Sequence, residues 1–187
     1  MPVNVIYFVH GTTTDNELKH ASGWNEALLS DKGKVQAEEL RNKIDLNQID
    51  VVFCSDLKRA VESANIIFKN DKNIIIDNRL RECNYGKLNG KDSSKVIYEN
   101  HIFEKFPDGE SLLDVEDRIR YFCNFLINEY DNKNVAIVAH KAPQLALEVI
   151  TKNVTWENAI ENDWRKTKNW QPRMEIWNKK IEKLKVL

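Results

Sequence analysis

Apolar residues in this chain follow two rhythms that alternate along its length. Short apolar runs at Val3 to Val9, Asp50 to Cys54, Ile74 to Ile76 and Val135 to Ala139 are bounded by polar or glycine-containing segments. Runs that short and rich in Val and Ile predict strands covered on both faces. Between them, apolar positions recur three and four residues apart. Ser30-Asp31-Lys32-Gly33 introduces one such segment, spaced by Val35, Leu40 and Ile44, and Ala60, Val61, Ala64, Ile67 and Phe68 space a second. Leu112, Val115, Ile119, Phe122, Leu126 and Ile127 form the stripe of a third, and a fourth is expected from about Pro143 to Lys152. This spacing predicts helices with one buried face. Ser111 can cap the third helix, with Asp114 favouring its positive end.

Alternation of strand and helix predicts an α/β fold, a three-layer α/β/α architecture around a mostly parallel sheet. The rhythm fails from Arg79 to Gly109, which is expected to be loop-rich with one short helix around Ser93 to Tyr98. Pro172 to Trp177 is expected to add an edge strand within a Trp-rich final third. No repeat or low-complexity linker interrupts the chain, and its 187 residues suit a single domain spanning 1–187.

Composition adds mainly exclusions. Hydrophobic residues make up 42% and charged residues 30%, enough for a large core under a polar surface. A net charge of −1 gives no general attraction for nucleic acid or anionic membrane, so any anion must be held by a local cluster of cations. No apolar run approaches the roughly 20 residues that span a bilayer. The apolar start lacks a basic leader and a small-residue cleavage site. Cys54, Cys83 and Cys123 include no Cys-x-x-Cys pair, which argues for a reducing compartment and against structural zinc. The chain therefore reads as soluble, cytoplasmic and metal-independent, with no cofactor.

Candidate chemistry sits at the strand ends. Two apolar strands run directly into histidines, His10 and His140, and a third ends in Cys54-Ser55-Asp56 and feeds a helix carrying Arg59. In a parallel sheet all three ends lie along one edge, where ligands bind in open α/β folds. Two imidazoles and a guanidinium suit a phosphoryl group: one imidazole attacks while Arg59 clamps the oxygens. Imidazole, with a reference pKa of about 6.5, is largely neutral and nucleophilic near pH 7. The leaving oxygen needs an acid. Glu82, in the irregular stretch that can fold over the same edge, is the natural candidate.

These residues resemble the histidine phosphatase superfamily, the phosphoglycerate mutase-like family. Its opening block, Arg-His-Gly-Glu-Thr with Asn three residues on, is matched by Val9-His10-Gly11-Thr12-Thr13 with Asn16. Leu29-Ser30-Asp31-Lys32-Gly33-Lys34-Val35-Gln36-Ala37 matches its Leu-Thr-x-x-Gly-x-x-Gln-Ala block. Ser55-Asp56-Leu57-Lys58-Arg59-Ala60-Val61-Glu62-Ser63-Ala64 matches Ser-x-Leu-x-Arg-Ala-x-x-Thr-Ala. Leu80 to Gly86 resembles the acid-bearing segment, Pro107 to Ser111 the Pro-x-Gly-Glu-Ser turn, and Val138-Ala139-His140 the strand with the second histidine. The blocks run in the family's order from about residue 3 to residue 145.

The resemblance implies that His10 is the phosphorylated nucleophile, that Arg59 and His140 hold the phosphoryl oxygens, and that Glu82 donates and accepts the proton. It also implies phosphate binding by Gly11, Thr13 and Asn16, and no metal. Gly11 is expected to let backbone and phosphate approach closely. The implied activity is that of a phosphatase acting on a small phosphorylated metabolite. The stretch between Gly86 and Pro107 is too short for the insertions of the glycolytic mutases. Self-association as a homodimer is left open.

The match fails in three places. Val9 stands where the family has arginine, Thr12 where it has an acid, and Lys141 where it usually has glycine. Losing one charge-assisted hydrogen bond typically costs about 1.5–3 kcal/mol. Lys141, next to His140, is expected to restore the missing charge; the alternative is a non-catalytic phospho-ligand binding or regulatory protein on the same fold. A cysteine-phosphatase loop is excluded, since it needs five residues between Cys and Arg and only four separate Cys54 from Arg59. No Gly-x-Ser-x-Gly elbow is present. His20 and His101 are expected to be solvated; Arg165, Lys166 and Lys168 are expected on a solvated face, with contact to a distal charge of the substrate as the alternative. Trp24 is assigned either to the pocket mouth or to packing.

Overall fold

The structure, a computed structural model, describes residues 3–69 and 71–167. In chain order the elements are β1 (Asn4–Val9), α1 (Thr14–Glu17), β2 (His20–Ala21), α2 (Asp31–Arg41), β3 (Val51–Cys54), α3 (Lys58–Phe68), β4 (Ile74–Ile76), β5 (Lys91–Asp92), α4 (Leu112–Glu129), β6 (Asn134–Ala139), α5 (Lys141–Lys152) and α6 (Trp156–Glu161). β1, β6, β3 and β4 form a parallel sheet in that spatial order. β2 and β5 pair antiparallel as a separate short ribbon.

Side chains alternate across the sheet with the strand period of two. Val5 and Tyr7 of β1, Phe53 of β3 and Val135, Ile137 and Ala139 of β6 join one core cluster with α4, α5 and α6. Phe8, Val52, Cys54, Ala136 and Val138 join the opposite cluster with α2 and α3. Both faces of the sheet are covered, so the strands read as unbroken apolar runs. The expected three-layer α/β/α architecture is the one observed.

Register decides what meets at the strand ends. Val9 lies opposite Ala139, and the ladder runs one step further because the His10 N–H donates to the Ala139 carbonyl at 3.1 Å. Cys54 lies opposite Val138 on the other side of β6, and the Ser55 N–H donates to the Val138 carbonyl, also at 3.1 Å. The ends of β1, β6 and β3 are therefore adjacent, with β6 in the middle.

Local structure departs from the expected pattern in three places. In α2, Ser30 caps the Gly33 N–H and the buried face is Gly33, Ala37 and Leu40, whereas Val35 is 53% exposed and Ile44 follows the helix. Gly33 sets that face: it packs against the Thr12 carbonyl so closely that a Cβ would overlap it. The single helix expected at Ser93 to Tyr98 is instead two 3₁₀ turns, Ser93–Lys95 and Tyr98–His101. Asp92 caps the first turn, and Tyr98 at the start of the second is buried. α5 begins at Lys141, two residues ahead of Pro143, because a proline in the first turn lacks only an N–H that would have no helical partner. The edge strand expected at Pro172 to Trp177 lies outside the described residues.

The Gly33 contact predicts that Gly33→Ala destabilises the fold by about 1–3 kcal/mol through overpacking. Val35→Ala, at the exposed position, changes stability by no more than about 0.5 kcal/mol. Urea unfolding midpoints of the two variants check the contrast.

Candidate active site

His10 leaves β1 half-buried at the wall of a cavity of about 450 Å³. Its Nδ1 lies 2.7 Å from the Gly11 carbonyl oxygen, which can only accept, so Nδ1 carries the proton. Nε2 is then the ring's lone-pair nitrogen. Burial, and after it the charge of Arg59, pushes the imidazole pKa down to about 3. His10 is a neutral imidazole whose lone-pair nitrogen is set by the backbone.

His140 follows β6 and is fully buried, its ring centroid 5.1 Å from that of His10. It lies against His10 and is not on the cavity wall. Nε2 is 2.9 Å from the Ser55 hydroxyl at the end of β3, and Nδ1 is buried with no hydrogen-bond partner among the described residues. Burial first, then Arg59 and His10, holds its pKa well below the usual imidazole range. Tyr7 fixes the backbone here: its hydroxyl donates to the His140 carbonyl at 2.9 Å and accepts from the His140 N–H at 3.2 Å.

Arg59, in the first turn of α3, is 2% exposed and lines the cavity. It donates to the carbonyls of Gly23 at 2.7 Å and Asn25 at 3.1 Å, which fixes its plane and leaves the rest of the guanidinium fork for a ligand. Burial lowers its pKa, and the Glu82 carboxylate opposes that. Ser63, one turn along α3, accepts from the Gly11 N–H at 3.0 Å and donates to the Arg59 carbonyl at 2.8 Å, joining the nucleophile loop to this helix.

Gly11 and Thr13 each have a structural role beside the one the resemblance implies. Neither lies on the cavity wall. Gly11 needs to be glycine because a Cβ would strike the Gly33 carbonyl, so its missing side chain serves packing against α2. Thr13 is buried and caps α1, accepting from the Asn16 N–H at 3.0 Å. Asn16 does line the cavity; its Oδ1 accepts from the Thr13 N–H at 3.1 Å, so its amide NH₂ is the group offered to a ligand.

Glu82 lines the cavity from the irregular stretch and is 7% exposed. Its carboxylate sits at the start of α5, accepting from the N–H groups of Ala142 at 2.9 Å and Lys141 at 3.1 Å. It also accepts from the Cys83 N–H at 2.9 Å and the Tyr98 hydroxyl at 3.4 Å. A helix start favours an anion through its unpaired N–H groups, and here the anion belongs to the protein. The Glu82 carbonyl is held by Trp24 Nε1 at 2.7 Å and Arg118 Nη2 at 3.0 Å. Arg118 also bonds the Arg79 and Arg81 carbonyls and pairs with Glu110, tying the whole segment to α4. Trp24 therefore packs behind the acid and is not part of the cavity wall.

Lys141 and Arg165 complete the cationic wall. Lys141 Nζ is 3.4 Å from the Asp163 carboxylate and 4.4 Å from the centre of the Tyr98 ring. Arg165, expected on a solvated face, has a side chain only 13% exposed and is paired with Asp163 at 2.9 Å. Lys166 is exposed as expected, and Lys168 lies outside the described residues. His20, also expected in solvent, lines the cavity with Tyr85, Val96 and Tyr98. Among the described residues no group of three or more His, Cys, Asp or Glu side chains is arranged to hold a metal ion. Taken together, the wall offers a neutral nucleophile, fixed guanidinium donors and one carboxyl group, the equipment for moving a phosphoryl group.

A model of the histidine phosphatase superfamily (branch 1) matches residues 6–174. Phosphoserine phosphatase 1 of Hydrogenobacter thermophilus is 27% identical over 157 residues, covering 78% of this chain and 74% of that protein. A 2,3-bisphosphoglycerate-dependent phosphoglycerate mutase of Cytophaga hutchinsonii is 30% identical over 178 residues, covering 87% of this chain and 83% of the relative. A mycobacterial glucosyl-3-phosphoglycerate phosphatase, solved in complex with VO3, superposes with a TM-score of 0.72 at 24% identity, over 83% of this chain and 85% of that one. The sheet order, the two strand-end histidines and a family match that spans most of the chain agree, and the chain belongs to the histidine phosphatase superfamily, branch 1.

Proposed function

We propose that this protein is a phosphatase that hydrolyses a small phosphate monoester through a phosphohistidine on His10, with no metal in the reaction. The observation that carries this reading is the Nδ1–H bond of His10 to the Gly11 carbonyl, which leaves Nε2 as the lone-pair nitrogen of a cavity-wall ring beside Arg59. Relatives with both phosphatase and mutase names fit the same chemistry. The short stretch between Gly86 and Pro107 favours hydrolysis over phosphoryl return.

In the first step Nε2 attacks phosphorus, forming an N–P bond as the P–O bond to the leaving group breaks. The Glu82 carboxylate takes the proton of the monoanionic ester and passes it to the departing oxygen, and the proton it later takes from water leaves with the phosphate. Positive charge on the phosphorylated ring is relieved by the Nδ1–H bond to the Gly11 carbonyl. Water then attacks phosphorus, giving a proton to the Glu82 carboxylate; the N–P bond breaks and inorganic phosphate leaves, with His10 neutral again. Arg59 and the Asn16 amide hold phosphoryl oxygens. His140 contributes through its buried, unpartnered Nδ1: with Ser55 donating to Nε2, Nδ1–H is a donor that a phosphoryl oxygen satisfies. Lys141 adds positive charge at the wall where Val9 adds none.

Hydrolysis of a generic aryl phosphate, inhibited by vanadate and lost by at least about a thousandfold in His10→Ala, is the expected result. Phosphate-ester binding without turnover in the intact protein would favour the binding-protein reading. Protonation is a second check. With the His10 pKa pushed to about 3 and that of His140 also depressed, both rings stay neutral in the folded protein as pH falls from 8 to 5. Their NMR signals therefore do not move across that range, whereas midpoints near 6.5 would contradict the site as described. The unfolded chain takes up these protons near pH 6.5 and the folded one does not, so stability declines as pH drops from about 6.5 towards 3.

A further inference from the structure

The chemistry proposed for His10 depends on which of its ring nitrogens carries the proton. In a neutral imidazole one nitrogen donates and the other accepts. His10 is held neutral, and its Nδ1 faces the Gly11 carbonyl oxygen at 2.7 Å. The opposite tautomer would set two lone pairs against each other at that distance. Nε2 therefore keeps its lone pair only while the Gly11 carbonyl stays turned towards the ring. That carbonyl belongs to the Gly11–Thr12 peptide, and a peptide following glycine rotates with little steric resistance. Gly11 cannot be exchanged for a stiffer residue, because a Cβ there would strike the Gly33 carbonyl.

The rotation is blocked from α2. The other end of the same peptide, the Thr12 N–H, donates to Oε1 of Gln36 at 2.9 Å. The Thr12 hydroxyl donates to the same oxygen, also at 2.9 Å. An N–H needs an acceptor, so the amide atom facing Thr12 is the oxygen. One peptide unit thus accepts from His10 at its carbonyl and donates to Gln36 at its N–H, and bonds in such a chain polarise one another. Thr12 stands where the family has an acid, and a carboxylate has no proton to give to Oε1. Here the hydroxyl fixes the Gln36 amide as a second donor. The flanking peptides are held by other groups: the Gly11 N–H donates to Ser63 Oγ at 3.0 Å, and the Thr12 carbonyl accepts from the Ser30 N–H at 3.0 Å.

We propose that Gln36 is a positioning residue for His10. By accepting from Thr12 it holds the Gly11–Thr12 peptide in the orientation that keeps the proton on Nδ1 and the lone pair on Nε2, the nitrogen that attacks phosphorus. Gln36 is not on the cavity wall and acts through the peptide. This role rests on the reading of His10 as the phosphorylated residue. It gives the glutamine of the Gly-x-x-Gln-Ala block a task in the reaction.

Nitrogen NMR of the full chain, isotopically labelled at histidine, tests this without requiring turnover. The intact protein is expected to show His10 as the Nδ1–H tautomer. Gln36→Met, close in shape but without an acceptor oxygen, gives a mixture of the two tautomers. Gln36→Glu, which restores an acceptor oxygen, returns the intact pattern. With an aryl phosphate, Gln36→Met lowers kcat by roughly tenfold, while the dissociation constant for inorganic phosphate changes by less than about twofold. An unchanged His10 tautomer in Gln36→Met overturns the proposal, and so does a mixture that Gln36→Glu fails to correct. Should Gln36→Met not fold, Gln36→Ala, which removes the acceptor without adding apolar bulk, takes its place. A tautomer that depends on Gln36 in a protein without turnover would sink the phosphatase reading and leave the positioning role standing. Turnover that needs His10, with a tautomer indifferent to Gln36, does the reverse.

Discussion

The pairing of β1 with β6 is the constraint on which the site depends. Val9 lies opposite Ala139 and the His10 N–H reaches the Ala139 carbonyl, so the two residues that follow these strands must be neighbours. A slip of one residue would send every β1 side chain to the other face of the sheet, exchanging Tyr7 with Phe8 between two cores that both exclude water. The apolar clusters on both faces thus fix the position of His10. The geometry of the candidate site follows from core packing, and His10 is set beside His140 before any side-chain polar interaction is counted.

Around that fixed pair, the irregular segment is organised by capture of Glu82. The first N–H groups of α5 would otherwise lack partners in a partly buried place, and the Glu82 carboxylate supplies them. In return the helix start fixes the carboxyl group on the cavity that His10 also lines. Arg118 and Trp24 hold the same residue by its backbone, so the segment from Arg79 to Tyr85 is anchored at both its main chain and its functional side chain. A segment with few regular backbone bonds is thereby held at Glu82 by both its main chain and its side chain.

How much of this could be read in the sequence varies with the range of the interaction. Strand positions were legible because both faces are buried, leaving uninterrupted runs of Val, Ile and Ala. The alignment of His10, Ser55 and His140 along one edge followed from parallel topology alone. The α2 stripe was misplaced at Val35 because its buried face is set by Gly33 meeting the Thr12 carbonyl, a contact between distant backbones that leaves no periodic trace. Gly11 and Thr13 follow His10 in the sequence, and their packing and capping roles show only in the folded chain. His20, Tyr85, Val96 and Tyr98 come from segments with no rhythm, and only the folded chain shows that they share a wall. Arg165 reads in the sequence as one of several surface cations; the feature that sets it apart is Asp163 two residues earlier, which is buried and pairs with it.

Tyr7 has a wider meaning for how the cleft can exist at all. Where β1 and β6 part company, the peptide of His140 no longer has a strand to lean on, and an opening sheet normally strands such groups. A single phenol closes the account, serving both the carbonyl and the amide of that residue from the core side. The sheet can therefore open next to His10 and His140 while the main-chain groups of His140 stay bonded.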